Sequence, residues 1–516
     1  MSSPSHEPSH QSLPGNEGSL SRSIWLTVLS TILPGAGLLG ARSRTGRVVG
    51  VAFPLVFLAT LATMGWLAYS DFGSFAGFSV SPTKLRRLMV LLPLIGLIWV
   101  ALIAATHIAT RPRGLSHHRR ATGAVMVTIL SLVISAPFAV ASRYALDQQM
   151  LLNKIFQEHD LVKSTSRPDI DSEKPDPWKD HPRLNILILG GDSSDGRDDE
   201  WGVRMDTIMV ASINTSTGAT TIVQIPRNVQ YTPFPEGSEM HELFPEGFRG
   251  EGSADQWYVN TIWETVERND YPDVFEDQTF RGAEALKQGA EGITGLRIDY
   301  FVMLNIDGIQ RLIDSMGGVR VNINERLPRG GDSWGRQPNG YLEPGPNQQL
   351  DGYDAMWYAR SRSSTDDYSR MARQSCLIDA IIDQASPKTM LTSYEAIAAA
   401  SADMVMTDIP QNVLEPLVEL AWEVKGADVE RLVFSPGKNG YDYAYPDFDT
   451  MREAVDDALI STPAGPPAMP ESPSSTESEP TPTEPEIDED EDDEEEPPTL
   501  IDGPQNVTDA CAYNPA

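Results

Sequence analysis

The sequence predicts an α/β (α+β) domain with a mixed central sheet flanked by helices, carried behind a helical membrane region. Three observations predict it. Long apolar stretches recur between residues 24 and 142, short strand-like runs begin at residue 184, and "IDGIQRLIDSMGG" stands as a helix between the strands "DYFVML" and "VRVNI".

Residues 1–23, "MSSPSHEPSHQSLPGNEGSLSRS", are poor in apolar side chains and read as disordered. A membrane region with three or four hydrophobic helices is expected over 24–145. Its apolar stretches fall at 24–40, 48–70, 88–109 and 121–142, and the last three approach the roughly twenty residues that cross a bilayer. The first is shorter and broken by Pro34, Gly35, Gly37 and Gly40, so it is either a poor span or a segment lying in the interface. Because apolar segments keep recurring, no single cleavable signal peptide fits. Arg42, Arg44 and Arg47 precede the second stretch, and Arg111, Arg113, Arg119 and Arg120 lie between the last two. Both basic loops belong in the cytoplasm, which places everything after residue 142 outside the membrane; Lys84, Arg86 and Arg87 argue more weakly the other way.

A polar, proline-containing stalk is expected over 146–183 and a folded exterior domain over 184–456. "LNILILGGD", "DTIMVASI" and "ATTIVQIP" have strand length and branched content. The helix of "IDGIQRLIDSMGG" rests on the spacing of Ile306, Ile309, Ile313 and Met316 and ends on glycine. Helical patterns at 281–291, 351–360 and 368–386 complete the domain. Residues 457–516 are expected to be a disordered tail, since "EPEIDEDEDDEEEPP" repels itself and builds no core. Much of the formal charge of −33 is therefore local. Two cysteines, Cys376 and Cys511, exclude a disulfide-rich scaffold and a cysteine-based zinc site. A tail-to-domain disulfide and two free thiols both remain open.

On so acidic a chain, "YARSRSSTDDYSRMARQ" concentrates Arg360, Arg362, Arg370 and Arg373 in one short span. Arg370, Arg373 and Gln374 share one helical face, which continues through Leu377, Ile378 and Ile381. A stripe that is polar for one turn and aliphatic afterwards predicts a helix whose first turn lines a charged pocket while its remainder is buried. Helix N-termini favour anions, and the arginine fork suits phosphate oxygens. For one arginine, pairing with Asp366 or Asp367 is the simpler reading; four arginines together with Gln374 point to an anion site. Near the first strands, Asp192 and Asp206 each abut an apolar run, and two carboxylates at strand ends suit a hard cation such as Mg²⁺. Arg204 and Arg227 stand close by. Asp195, Asp198 and Asp199 read as turn residues.

Several function classes are excluded. Ser193 after Gly-Asp invites a serine-hydrolase reading, but the only histidine beyond His181 is His241, without a triad partner. No HExxH or Cys–His spacing offers zinc. The acidity and exterior placement oppose nucleic-acid binding.

The blocks "NILILGGDSSDGRDDEWGVRMDTIMVASIN", "VQIPRN", "DYFVMLNIDGIQRLIDSMGGVRVNI" and "LEPGPNQQLDGYDAMWYARSRSSTDDYSRMARQ" resemble, in order, those of the LytR-CpsA-Psr (LCP) family, over roughly residues 184–386. The resemblance implies a cell-wall phosphotransferase. Such an enzyme moves a glycopolymer from an undecaprenyl-pyrophosphate carrier, through a phosphodiester, to peptidoglycan or in some members to a glycoprotein. By motif position it implies Asp192 and Asp206 on Mg²⁺ (or Mn²⁺). Arg204, Arg227, Arg360, Arg362, Arg370 and Gln374 would bind the pyrophosphate oxygens, with Asp367 orienting the arginines; Arg373 matches the motif without a clear role. Two positions depart from the family pattern: Asn228 stands where an acid is usual, and Tyr258 where many members carry lysine. A non-catalytic polyprenyl-phosphate-binding regulator and a pyrophosphatase acting on the same lipid are the competing readings. The aliphatic part of the 368–386 helix and "DYFVML" would either line a prenyl channel or pack as ordinary core.

Overall fold

The computed structural model describes residues 20–70, 72–112, 114–156, 161–191, 204–268, 271–331, 337–361, 367–384, 405–461, 505–506 and 511–514. The chain divides into two compact units, residues 1–152 and 153–516.

The first unit is helical: α1 (Leu20–Ile32), a 3₁₀ turn over Ala36–Gly40, α2 (Arg44–Ser70), α3 (Phe72–Gly77), α4 (Pro82–Thr110) and α5 (His117–Ile155). Helices α2, α4 and α5 are long and apolar enough to cross a membrane. Helix α1 has 13 residues and is about 20 Å long at 1.5 Å per residue, short of a hydrocarbon core of about 30 Å. It packs on α4 through small hydroxyl residues: Ser30 Oγ lies 2.8 Å from Thr106 Oγ1, and Trp99 Nε1 donates to the Ser30 carbonyl at 3.0 Å. Such contacts let two apolar helices close on each other without a hydrophobic driving force. Two sequence boundaries move. Residues 20–23, read as part of a disordered leader, are the first turn of α1, and α5 continues past residue 145, where the stalk was expected to begin.

The second unit is built on a mixed sheet, in the order β11–β10–β3–β2–β1–β4–β9 among the described residues. Its strands are β1 (Arg183–Gly191), β2 (Met205–Asn214), β3 (Thr220–Ile225), β4 (Tyr300–Asn305), β9 (Val405–Thr407), β10 (Val429–Val433) and β11 (Gln505–Asn506). Strand β1 runs antiparallel to β2 and parallel to β4, and β10 lies parallel to β3. As β1 and β4 are central, they read as near-continuous apolar runs, with Leu187, Leu189 and Phe301 wholly buried.

The helices of this unit are α6 (Glu239–Leu243), α7 (Ile262–Glu267), α8 (Arg281–Thr294), α9 (Ile306–Ser315), α10 (Gly352–Arg360), α11 (Asp367–Gln384), α12 (Leu414–Lys425) and α13 (Phe448–Ser461). Helix α8 buries Ala283, Leu286, Ala290 and Ile293 in the main core. It approaches the loop before α6 so closely that a Cβ on Gly292 would stand 1.9 Å from the Pro233 carbonyl oxygen. Helix α9 ends on Gly317 and Gly318, both at positive φ, as its sequence predicts. Strand β5 (Val319–Ile323), however, leaves the main sheet and pairs antiparallel with β8 (Gly345–Leu350); β6 (Leu327–Arg329) and β7 (Gly340–Leu342) form another small ribbon. A second core of Ile313, Val319, Tyr358, Leu377 and Ala380 joins α9, α10 and α11 to this ribbon side.

Three features revise the stalk and tail. Val162 and Ile170 are buried, 1% and 4% exposed, so the segment before β1 belongs to the folded unit. Helix α13 runs to Ser461, past the expected domain end at 456. The last residues return to the domain: β11 adds to the β10 edge, and Cys511 is disulfide-bonded to Cys376 of α11. The acidic run itself lies outside the described residues.

Candidate functional site at the end of the sheet

The ends of four strands meet along one edge of the sheet. Gly191 at the end of β1 pairs with Met205 at the start of β2 and with Asn305 at the end of β4, while Ile225 at the end of β3 pairs with Ile208. The residues that follow or open these strands, Asp206 and Arg227 among them, are therefore delivered to one place by the pairing register. The carboxyl ends of strands in open sheets are where ligands collect.

Helix α11 closes over this edge. Gln224, 1% exposed near the end of β3, donates through Nε2 to the Met371 carbonyl at 2.9 Å and to Ser375 Oγ at 2.7 Å. That clamp brings the first turns of α11 onto the strand ends. A recess of about 200 Å³, open solvent included, results; its lining includes Asp206, Gln224, Arg227, Arg370, Met371 and Gln374. Arg227 Nη1 lies 2.6 Å from Asp206 Oδ1, with both side chains about one-third exposed or less. Arg370, 3% exposed, donates through Nη1 to the Asp206 carbonyl at 3.3 Å. Gln374 Nε2 reaches the Ala359 carbonyl at 3.5 Å, next to Arg360 at the end of α10.

Asp206, Arg227, Arg370 and Gln374 are thus brought together. Arg360 is exposed at the C-terminus of α10, its guanidinium 6.0 Å from the Trp357 ring centroid. Arg204 is exposed just before β2, with Nε 3.6 Å from Glu264 Oε2. Asp367 opens α11. Asp192, Arg362 and Asp366 lie outside the described residues. Arg373 is placed differently from its neighbours, against the expectation that it joins them in binding phosphate. Buried at 7% exposure, it donates to the Tyr358 carbonyl at 2.8 Å and to the Ser361 carbonyl, and pairs with Glu325 at 2.6 Å. The i, i+3, i+4 spacing put it on the Arg370 face; in the fold its guanidinium ties α11 to the end of α10. Leu377, Ala380 and Phe301, left between channel and core by the sequence, are core residues.

Two further residues belong to the site's frame. Glu264 on α7 is 6% exposed and pairs with both Arg204 and Arg268. One turn earlier Asn260 is buried and its backbone N–H donates to the Arg227 carbonyl at 3.2 Å. The segment Val259–Glu267 therefore holds the backbone of one arginine and the side chain of another. A single acid amid Ile262, Trp263 and Val266 was the signal for Glu264, as a lone amide in "TTIVQIP" was for Gln224. Asn228, the departure from the family's acid, accepts from the Tyr441 hydroxyl at 3.2 Å and so fastens the arginine loop to the segment after β10.

For a divalent metal, the donor chemistry is right but thin. Asp206 supplies one carboxylate, already engaged by Arg227. Among the described residues no group of three or more His, Cys, Asp and Glu side chains gathers in one place. Mg²⁺ suits such a site, since it takes one or two carboxylates and leaves its remaining positions to water and phosphate.

A family model for the LytR_cpsA_psr family matches residues 150–456, from the end of α5 to within α13. The chain belongs to the LytR_cpsA_psr family. Its relatives include two proteins named polyisoprenyl-teichoic acid–peptidoglycan teichoic acid transferase TagU. One, from Enterococcus faecalis, is 23% identical over 55% of this chain and 78% of that protein. The other, from Halalkalibacterium halodurans, is 28% identical over 48% of this chain and 68% of that protein. A crystal structure of the Streptococcus agalactiae protein gbs0355 covers 56% of this chain and 91% of its own at 19% identity, with a TM-score of 0.41.

Proposed function

We propose that this LCP protein is a phosphotransferase of cell-wall biogenesis. It takes a glycopolymer from a polyprenyl-pyrophosphate carrier and joins it, through a phosphodiester, to peptidoglycan or to a glycoprotein. The observation that carries the reading is the convergence of Arg227 and Arg370, from two different elements, on Asp206 at one end of the sheet. Family membership and relatives named as teichoic acid transferases support the polymer class. Helices α2, α4 and α5, with basic loops on one side, favour a membrane-anchored chain whose second unit faces the exterior.

In this reaction an acceptor hydroxyl oxygen attacks the phosphorus that carries the sugar. A new P–O bond forms, the P–O bond to the lipid phosphate breaks, and polyprenyl phosphate leaves with the proton that the hydroxyl gives up. The pyrophosphate bond supplies the driving force, so no nucleotide is required. Positioning and charge neutralisation are what the protein must provide. Arg227 and Arg370 face the phosphate oxygens from two sides, Gln374 offers a neutral donor, and Arg204 and Arg360 close the rim. Asp206 fixes the Arg227 guanidinium before substrate arrives. Asp206 and Asp192 would hold Mg²⁺, which neutralises pyrophosphate charge when bound.

The test is a transfer assay on the full chain in detergent, with Mg²⁺, a pyrophosphate-linked donor and peptidoglycan. The reading predicts a phosphodiester conjugate that Asp206→Ala abolishes. Free polymer phosphate without conjugate would make the protein a pyrophosphatase, and bound lipid without turnover would make it a binding protein.

A further inference from the structure

Helix α10 has one face that packing does not explain. Ala355, Tyr358 and Ala359 turn into the second core. On the outer side, at i, i+4 and i+7, stand Tyr353, Trp357 and Arg360. Tyr353 is 40% exposed, Trp357 is half-buried and Arg360 is exposed. The two rings meet edge to face with centroids 6.3 Å apart, and the Arg360 guanidinium carbon lies 6.0 Å from the Trp357 centroid. The row is framed at its start. Tyr353 Oη accepts from Asn339 Nδ2 at 3.3 Å, Asp351 caps the helix through the Asp354 N–H at 2.8 Å, and the Asp354 carboxylate holds Arg329 Nη1 at 3.0 and 3.1 Å.

An outer helix face is ordinarily polar, because apolar area left in water forgoes about 25 cal/mol per Å² of burial. Two rings there, inclined at 62° to each other and leading to a guanidinium, form an angled amphipathic surface. Such a surface suits pyranose rings, whose C–H groups pack on aromatic side chains while their hydroxyls stay in water. Resting on the reading of Arg360 as a pyrophosphate ligand, we propose that Tyr353 and Trp357 form a shelf for the sugar residues of the donor glycopolymer nearest its pyrophosphate. The donor, rather than the acceptor, is the occupant for a covalent reason. The first donor sugar is esterified to the phosphorus under attack and stays beside the arginines throughout, whereas the acceptor enters opposite the departing lipid phosphate. The row leads away from Arg360, so successive sugars would meet Trp357 first and Tyr353 next.

The experiment compares two probes on the full chain in detergent with Mg²⁺: geranyl pyrophosphate, and geranyl pyrophosphate carrying an N-acetylhexosamine disaccharide. Trp357→Ala and Tyr353→Ala are each expected to weaken the sugar-bearing probe about tenfold, the scale of one lost ring contact, and to leave the bare probe within about twofold. Trp357→Phe should keep most of the affinity. Tyr353→Ala removes a ring that does not touch Arg360, which separates the shelf from any disturbance of the arginine. Equal losses on both probes, or none on either, would overturn the shelf. So would a loss that falls instead on a soluble peptidoglycan disaccharide, which would assign the face to the acceptor. A wild-type protein that ignores the bare probe, yet loses the sugar-bearing one on Trp357→Ala, would sink the headgroup reading while keeping the shelf.

Discussion

Replacing Cys511 by serine is expected to do far more than free a few terminal residues. The Cys376–Cys511 bond closes a loop of 135 residues that contains part of α11, all of β10 and all of α13. In the chain-entropy account, opening a loop of that length costs about 5 kcal/mol at 25 °C if the enclosed structure unfolds as one unit. The non-covalent hold on the tail is slight by comparison. Asn322 Nδ2 donates to the Cys511 carbonyl at 2.9 Å, Asn324 Nδ2 to the Ala512 carbonyl at 3.1 Å, and Asn324 Oδ1 accepts from the Asn514 N–H at 2.9 Å. At about 1 kcal/mol each, these bonds do not offset an ordering cost of about 1–2 kcal/mol per residue. Cys511→Ser, Cys376→Ser and reduced wild-type protein should therefore coincide in urea denaturation, about 2–5 kcal/mol below the oxidised protein. All three should release the tail to protease. The reasoning is refuted if the oxidised protein and Cys511→Ser differ by less than about 1 kcal/mol, for then the loop does not unfold with the domain.

Further outcomes follow from the buried charges. Lys287, 1% exposed, pairs with Asp408 at 2.5 Å and Glu284 at 3.1 Å, so Lys287→Met strands two buried carboxylates and should cost about 3–5 kcal/mol in chemical denaturation. Glu291 accepts the Ile298 N–H at 2.7 Å, and burial pushes its carboxyl above the ordinary range. A raised carboxyl favours the folded state most below its unfolded pKa and loses that contribution as pH rises through its folded one. Thermal melts of Glu291→Gln and wild type should accordingly diverge in favour of the variant as pH rises above the ordinary glutamate range of about 4. Arg373→Met should lower stability by about 2–4 kcal/mol through its lost carbonyl and Glu325 contacts, while leaving pyrophosphate affinity nearly unchanged in the folded protein.

Much of this was legible in the residues themselves, and what was not has identifiable causes. Central strands such as "LNILILGG" bury one face fully and the other in part, and announce themselves as unbroken apolar runs. Strand β5 was equally legible, but its partner was not, because pairing with β8 depends on a chain reversal that no local pattern encodes. Asp206, Arg227, Arg370 and Gln374 were found by residue type and meet in the fold. Arg373 shares their spacing, yet the carbonyls of Tyr358 and Ser361 take its guanidinium, and a helical wheel does not contain those carbonyls. Glu264 went unnoticed since a buried acid in an apolar turn has meaning only once Arg204 and Arg268 are seen around it. The tail illustrates the opposite error: a composition that builds no core still ends in a cysteine, and one covalent bond fixes where that end lies.

On the proposed function, guanidinium groups from separate elements meet one diphosphate at Asp206. Calorimetric titration of geranyl pyrophosphate into the full chain with Mg²⁺ tests it most directly, with Arg370→Met beside Arg373→Met. Arg370→Met is expected to lose about 10- to 100-fold in affinity, the range of one charge-assisted hydrogen bond to a buried guanidinium, and Arg373→Met to bind like wild type. Undiminished binding by Arg370→Met, or an equal loss in both variants, would contradict it.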